Sequence, residues 1–268
     1  MELPRAWQRP DPLRGLDRIP WHELSDGRGS AEGVDRLLRA LVASARDERE
    51  RALVSLSDRL LTDDTVSEAS AYAVPFLVEL GASYKVAAHV RDRVVFLLAA
   101  LALAGKGFTE DGKRTRRRWN SAGRELPRTA PDWITQTRHA VAVGAPKIFE
   151  ALAQERVGCV VALACAVADR CPEYVEALMS DIANECDQTD TMLRESADIA
   201  LHLLQKQDTP DLLVRGLAQG HPDVLREYET NARPAHQPRE ITVAQIGYRF
   251  ALISAYGDEE LEMPSGPP

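Results

Sequence analysis

Apolar residues recur along this chain at spacings of three and four, the pattern of helices that are buried along one side. Short polar breaks separate ten such segments, and no run of alternating apolar and polar residues stands out as a strand. The segments group into about five consecutive pairs. We therefore predict an all-α protein whose helices cover residues 31–43, 46–62, 66–81, 87–104, 133–153, 156–170, 172–186, 190–206, 209–219 and 240–255.

Residues at the ends of these segments indicate where individual helices begin and end. Thr65 and Glu68 have the spacing of a capping box, in which each side chain accepts a hydrogen bond from the other residue's backbone N–H. Pro210 suits the first turn of a helix, where an N–H has no helical partner. Gly81 and Gly220 suit helix ends, because glycine readily adopts the left-handed conformation found there.

The spacing between similar helices indicates a repeat with one insertion. Ala52 and Val94 occupy similar positions in two apolar helices and lie 42 residues apart. This distance fits the roughly 40 to 47 residues of a HEAT-type helical hairpin. Val160 follows Val94 by 66 residues, but by only 39 once residues 105–131 are removed. We therefore interpret residues 105–131 as an insertion that interrupts the repeat.

Two of the predicted helices carry an internal proline, and the spacing of these prolines supports the repeat. Pro75 and Pro146 are 71 residues apart, or 44 without the insertion, so both occupy the same place in their repeats. Proline removes one helical hydrogen bond and bends the helix, which suits a curved stack of hairpins. Pro75-Phe76-Leu77 resembles the HEAT-repeat family, whose first helix often carries a proline followed by aliphatic residues.

A narrower resemblance covers about the first 105 residues. IPWHEL (19–24) and EASAYAVPFL (68–77) are similar to a group of bacterial HEAT-like proteins that begin I-P-W-x-x-L and carry an E-A-S-A-Y-A-V-P-F-L segment. The chain departs from this group at Gly27-Arg28-Gly29, where a more aromatic stretch such as A-Y-G is expected. The resemblance implies a fold and an interaction role, without a reaction.

The predicted fold is a right-handed α-solenoid of about five HEAT-like hairpins with one arginine-rich insertion loop. We expect Trp21 and Leu24 to close the first repeat, because the end of a solenoid must cover an otherwise exposed apolar face. The predicted divisions are an N-terminal arm and cap (1–30), repeats 1 and 2 (31–104), the basic insertion (105–131), repeats 3 to 5 (132–256) and a flexible tail (257–268).

The insertion differs in charge from the rest of the chain. It holds eight basic and three acidic residues, a net charge of +5, whereas the whole chain carries −8 and the remainder therefore −13. An arginine cluster beside a tryptophan can grip phosphates and stack on a base, dock an acidic protein, cover the chain's own acidic surface, or be a solvated loop. The candidate partner-binding residues are Lys113, Arg114, Arg116, Arg117, Arg118 and Trp119, together with Tyr72 as an interface tyrosine.

No residue pattern indicates a catalytic, cofactor-binding or metal-binding site. The histidines form no H-E-x-x-H pair, and the glycines form neither G-x-G-x-x-G nor G-x-x-x-x-G-K-[ST]. The four cysteines form no C-x-x-C pair, and we interpret them as small core residues. We therefore predict a protein without catalytic residues, cofactor or metal, whereas a buried cluster of Asp, Glu and His would favour an enzyme.

These features favour a non-catalytic scaffold, adaptor or inhibitor that binds another protein. A toxin-neutralising immunity protein is a concrete form, because an acidic binder associates quickly with a basic partner. The alternative is a nucleic-acid-binding protein in the manner of HEAT-like DNA glycosylases; the net charge of −8 and the clustering of basic residues in one segment make it less favoured. The N-terminus has no export signal and the apolar run 94–104 is too short for a membrane span, so we expect a cytoplasmic protein.

Overall fold

The structure, a computed structural model, describes residues 11–62, 65–105, 132–152, 155, 158–185, 190–231 and 239–257. Within these ranges the chain is mostly helical, which confirms the all-α class. The chain divides into two compact units, unit 1 (Met1–Leu152) and unit 2 (Ala153–Pro268). None of the described helices combines the length and the apolar character needed to cross a membrane.

Each predicted helical segment corresponds to one α-helix of the structure, with ends that differ by at most three residues. The helices of unit 1 are α1 (Val34–Ala40), α2 (Arg46–Leu60), α3 (Glu68–Gly81), α4 (Ala88–Gly105) and α5 (Asp132–Leu152). The helices of unit 2 are α6 (Gly158–Val167), α7 (Tyr174–Glu185), α8 (Thr191–Leu204), α9 (Asp211–Ala218), α10 (Pro222–Asn231) and α11 (Arg239–Tyr256). Single turns of 3-10 helix cover Leu16–Arg18, Trp21–Glu23 and Ala168–Arg170.

Helix α10 lies where the hydrophobic pattern predicts only a long connection. Pro222 opens the helix, a position that proline tolerates because the first N–H groups of a helix have no helical acceptor. Val224 and Tyr228 are each 1% exposed and lie one turn apart, so they form a short buried stripe. Three large apolar residues in ten, Val224, Leu225 and Tyr228, are too few for the helical period to be recognised in the sequence.

Two short antiparallel strand pairs occur in unit 1, where the sequence analysis predicts no strand. Strand β1 (Ser25–Asp26) pairs with β2 (Gly29–Ser30), and β3 (Leu61–Thr62) pairs with β4 (Thr65–Val66). Gly29 has a φ of 116°, a conformation that non-glycine residues rarely adopt. The Gly27-Arg28-Gly29 stretch, at which the sequence differs from the HEAT-like group, therefore includes a backbone turn that needs glycine. Strands of two residues are too short for any alternating pattern to reveal them.

The capping box predicted at the start of α3 is wrong. Thr65 lies in β4 and pairs with Thr62, and α3 begins at Glu68 without a side-chain cap. The carboxylate of Glu68 instead accepts hydrogen bonds from the backbone N–H and the hydroxyl of Ser25, both at 3.0 Å. Glu68 therefore ties the β1–β2 hairpin to the start of α3. Its hydrogen bonds to Ser25, 43 residues away, take the place of the predicted local capping box. Helix α3 does end at Gly81, but Gly81 is not in the left-handed conformation expected there, and the following Ala82 is right-handed.

Helices α3 and α5 of unit 1 pack side by side and run parallel. The indole N–H of Trp133 donates to the carbonyl of Val66 at 3.3 Å, near the start of both helices. Near the other end of both helices, Lys147 of α5 contacts Glu79 of α3. Because the start of α5 lies beside the start of α3 and its later part beside the later part of α3, the two helices run parallel. Helix α4 packs against both α3 and α5, while α1 and α2 pack together and contact α3 and α4, respectively.

The two internal prolines lie one helical turn apart along these parallel axes. Lys147, which directly follows Pro146, bonds to Glu79, and Glu79 is four residues beyond Pro75. The prolines therefore do not lie side by side across the α3–α5 contact. Gly144 of α5 permits the close approach, because a Cβ at this position would lie 2.5 Å from a methyl group of Val78.

A buried ion pair fixes the N-terminal hairpin to α2. The side chain of Asp26 is fully buried and that of Arg59 is 13% exposed, and the guanidinium Nε–H donates to the carboxylate. The Nη2 group of the Arg59 guanidinium donates to the carbonyls of Ser30 and Glu32, both at 2.8 Å. Arg59 thereby satisfies one buried charge and two backbone acceptors from a single side chain.

Helices α6, α8 and α11 pack against one another in the centre of unit 2. Gly158 lies against the carbonyl of Ala251, and Gly247 lies against Cys165 and Ile199. The start of α6, at Gly158, lies beside the later residue Ala251 of α11, whereas Cys165, further along α6, lies beside the earlier residue Gly247. Helices α6 and α11 are therefore antiparallel. Cβ atoms at Gly158 and Gly247 would lie 2.7 Å from the nearest atom of α11 and of α6, respectively, so glycine permits this spacing.

Candidate partner-binding surface

The basic residues predicted to bind a partner, together with Trp119, lie outside the described residues. Gly105 ends α4 before this segment and Asp132 opens α5 after it. Helix α4 contacts β4, and Trp133 bonds to Val66 of the same strand. Gly81 at the end of α3 lies beside Val94 and Val95 in the first half of α4, so α4 runs back towards the start of α3. Both residues that bound the segment are therefore at the end of unit 1 where α3 and α5 begin.

Tyr72, the remaining predicted residue, lies on the solvent-facing side of α3 one turn after the helix begins. Its exposure is 37%, whereas Phe76, one turn further on, is fully buried. Tyr72, Pro75 and Glu79 follow one row of α3 at helical spacing, and Lys147 of α5 contacts the last of them. The row that ends in Glu79 therefore borders α5.

Val143 is the residue of α5 that this row approaches. It lies one turn before Lys147, just as Pro75 lies one turn before Glu79, so Val143 and Pro75 are level on the two parallel helices. Val143 is 66% exposed, so its side chain reaches the surface in the middle of this 21-residue helix. We give the name α3–α5 face to this side of the two helices, with Tyr72 and Pro75 on α3 and Val143 on α5.

An ion pair closes one end of the α3–α5 face. The Lys147 Nζ lies 2.6 Å from Oε2 of Glu79, with side-chain exposures of 34% and 5%, respectively. The second oxygen of Glu79 is buried and accepts no hydrogen bond from the residues that the structure describes. The two charges of this pair compensate each other.

A cleft of about 560 Å³ lies elsewhere in unit 1, near the N-terminal motif. Its walls contain three carboxylates, two of which belong to Asp17 and Asp35. Arg39 pairs with both of these carboxylates, so their charges are already compensated within the fold.

Trp21 and Leu24, predicted to cover the end of the first repeat, are 6% and 7% exposed, and the Trp21 indole N–H donates to the carbonyl of Leu16 at 3.2 Å.

Helix α8 carries a row of titratable side chains in unit 2. Glu195, Asp198 and His202 follow one side of the helix at spacings of three and four. Burial raises the pKa of Asp198 above its ordinary value, against the opposing effects of Arg194 and His202. Burial likewise raises the pKa of Glu195, opposed by Arg194 and reinforced by Asp198. Within the described ranges, no group of three His, Cys, Asp or Glu side chains converges to hold a metal ion.

The raised pKa of Asp198 predicts a pH-dependent gain in stability for Asp198→Asn. The folded protein keeps the Asp198 proton to higher pH than the unfolded chain does, so stability is lost as the pH rises through the titration of Asp198. A neutral amide removes this loss. We expect a higher melting temperature than wild type at pH 7 and no gain below about pH 3, where an unfolded-state Asp with a pKa of about 3.9 is protonated.

Differential scanning fluorimetry at the two pH values measures this difference. Asp181→Asn, at an exposed position of α7, is the matched control and should leave the melting temperature unchanged at both pH values. An Asp198→Asn variant that melts at or below the wild-type temperature at pH 7 contradicts the prediction.

Comparison with known proteins found no matching protein-family model, curated protein or solved structure.

Proposed function

We propose that this chain is a non-catalytic scaffold, adaptor or inhibitor that binds another protein. The α3–α5 face supports this proposal, since it exposes Tyr72 and Val143 on two packed helices. Residues 105–131, with a net charge of +5, connect to the fold at the end of these helices where α3 and α5 begin. Exposed aromatic and aliphatic side chains beside a charged region are typical of protein-binding surfaces. The preformed contact between α3 and α5 lowers the entropy lost when a partner binds.

We further propose that the helices form HEAT-like hairpins in an α-solenoid. Support comes from unit 1, in which α1 and α2 pack as a pair, α3 and α4 pack as a pair, and α1 and α3 are in contact. Helix α5 then runs parallel to α3, as the first helix of a following hairpin would. Stacked hairpins of this kind offer extended surfaces that mainly bind other macromolecules.

A toxin-neutralising immunity protein is the most concrete form of this function. The residues outside 105–131 carry a net charge of −13, which would steer a basic partner to the protein. An immunity protein acts by occupying its toxin and needs no catalytic group of its own. Glu195 and Asp198 of α8 would contribute to the acidic surface that attracts the basic toxin.

Affinity capture from the native lysate tests the proposed function. The intact protein and a variant that lacks residues 105–131 serve as baits, each with and without nuclease treatment, and mass spectrometry identifies what is retained. We expect a protein partner that survives nuclease and whose recovery falls on deletion of the segment. Recovery of only nuclease-sensitive material would replace protein binding with nucleic-acid binding.

A further inference from the structure

We infer that the cleft near the N-terminal motif binds a small zwitterion, a molecule that carries an ammonium group, a carboxylate and an apolar side chain. A free amino acid and a short peptide both have this chemistry. The site goes beyond the proposed function, because it takes a small molecule and is lined by none of the residues of the α3–α5 face. Glu32 would hold the ammonium group of the ligand, and Arg36 its carboxylate.

The cleft has the size and the mixed lining of a small-molecule site. Its volume of about 560 Å³ lies within the roughly 300–1,000 Å³ that is usual for ligand pockets. Ile19 and Trp21 contribute apolar surface to its walls, and they are only 7% and 6% exposed. Because both side chains are packed into the fold, this part of the cleft is fixed before a ligand arrives.

Glu32 and Arg36 are the charged groups of this cleft that the fold leaves available. Within the described part of the chain, no side chain or backbone group pairs with the carboxylate of Glu32 or with the guanidinium of Arg36. The other two carboxylates of the cleft, those of Asp17 and Asp35, are paired with Arg39. Two opposite charges that line one cleft without contacting each other are complementary to a ligand that carries both charges.

The local backbone explains why Glu32 and Arg36 do not pair with each other. A glutamate and an arginine four residues apart meet on the surface of a helix, but α1 begins only at Val34. Gly33 has a φ of 93°, and this left-handed turn separates Glu32 from the helix that carries Arg36. The carbonyl of Glu32 is held at 2.8 Å by Nη2 of Arg59, so the backbone on this side of the turn is anchored independently of α1.

A second cation beside Arg36 favours a carboxylate as the anionic group of the ligand. A Cβ on Gly33 would lie 3.1 Å from Nη2 of Arg36 and 3.4 Å from Nη1 of Arg59, so two guanidinium groups meet over this glycine. Asp26 compensates Arg59, and a carboxylate from the ligand would compensate Arg36 through two parallel N–H bonds. A phosphate also suits guanidinium groups, but the carboxylate of Glu32 in the same cleft would repel its second negative charge.

Isothermal titration calorimetry with leucine, phenylalanine and the dipeptide leucyl-leucine tests the site and distinguishes a free amino acid from a peptide. Two leucine analogues each lack one charged group: 4-methylpentanoate has no ammonium group and 3-methylbutylamine has no carboxylate. We expect saturable binding of at least one of the three zwitterions. Each analogue should bind about 10-fold or more weakly than leucine, because one charged hydrogen-bonding group is missing.

The variants Glu32→Gln and Arg36→Gln remove the two charges of the cleft one at a time. Both side chains are exposed, so each variant should fold as the wild type does, which thermal melting checks. We expect each variant to bind the zwitterion about 10-fold or more weakly. Arg46→Gln and Glu48→Gln are matched controls at exposed positions of α2 that do not line the cleft, and they should leave the affinity unchanged.

Four results would overturn the inference. They are the failure of all three zwitterions to bind at 10 mM, equal affinity for leucine and for either analogue, equal affinity of the wild type and both cleft variants, and tighter binding of inorganic phosphate than of any zwitterion. The proposed binding of another protein is tested separately by capture from the lysate, so its failure and the failure of this site are distinguishable.

Discussion

Arg59→Met is expected to lower the free energy of unfolding by about 3–5 kcal/mol, the cost of leaving a buried charge without its partner. The carboxylate of Asp26 is fully buried, and methionine can neither neutralise it nor donate to it. The carbonyls of Ser30 and Glu32 lose their donor in the same variant. Urea unfolding followed by tryptophan fluorescence measures the change, because Trp21 is buried in the same unit.

A second variant separates the buried charge from general damage to the fold. Asp26→Leu/Arg59→Met removes both charges, so it should be destabilised less than Arg59→Met alone. Arg28→Met provides the surface control: its partner Asp58 is 3.4 Å away and both side chains are at least half exposed, so a change below about 1 kcal/mol is expected. A double variant as unstable as the sum of its single variants would show that Asp26 and Arg59 do not act as a pair.

Gly247→Ala is expected to destabilise the protein by about 1–3 kcal/mol through overpacking. The new methyl group would lie 2.7 Å from Sγ of Cys165 and 2.9 Å from a side-chain methyl of Ile199, so α11 has to move away from α6 and α8. The usual gain of up to about 1 kcal/mol for alanine over glycine in a helix is too small to offset this clash. Thermal and urea unfolding measure the net effect.

Gly216→Ala is the matched control for this packing prediction. Gly216 also lies inside a helix, but a Cβ at that position would meet no atom within 4 Å. Alanine there should stabilise α9 by up to about 1 kcal/mol, since it only improves helix propensity. The close contact assigned to Gly247 is wrong if both glycine variants gain stability.

Elements with a long and regular apolar period could be predicted from the sequence. Helices α3 and α5 were placed correctly although each contains a proline, because the apolar residues around Pro75 and Pro146 keep the helical spacing. Helix α10 has too few large apolar residues to give that signal. The two-residue strands are held by pairing between nearby segments and have no pattern of their own.

Contacts between distant residues could not be read from local patterns. Thr65 and Glu68 satisfy the spacing of a capping box, but Glu68 bonds to Ser25, 43 residues away. The Asp26–Arg59 pair joins residues 33 apart, and nothing in the composition of either segment identifies it. Such pairs depend on which elements pack together in the folded protein. A sequence motif indicates only the hydrogen bonds that neighbouring residues can form with one another.

The candidate site was recognised in part from the sequence. Tyr72 was predicted to be an interface tyrosine, and it is exposed. Val143 was missed, although a signal was available: it stands next to Val141 and Ala142 but off the stripe that continues through Ala145, Ile148 and Phe149. The arginines and Trp119 remain predicted partner-binding residues that lie outside the described part of the chain.

Binding of another protein without chemical change to it is tested most directly by intact-mass spectrometry of the captured partner. The partner is purified alone, mixed with this protein, and isolated again from the complex after size-exclusion chromatography. We predict a stoichiometric complex from which the partner is recovered with its mass unchanged. A partner whose mass has changed, or one that is released as a modified product without a stable complex, would contradict a non-catalytic binding role.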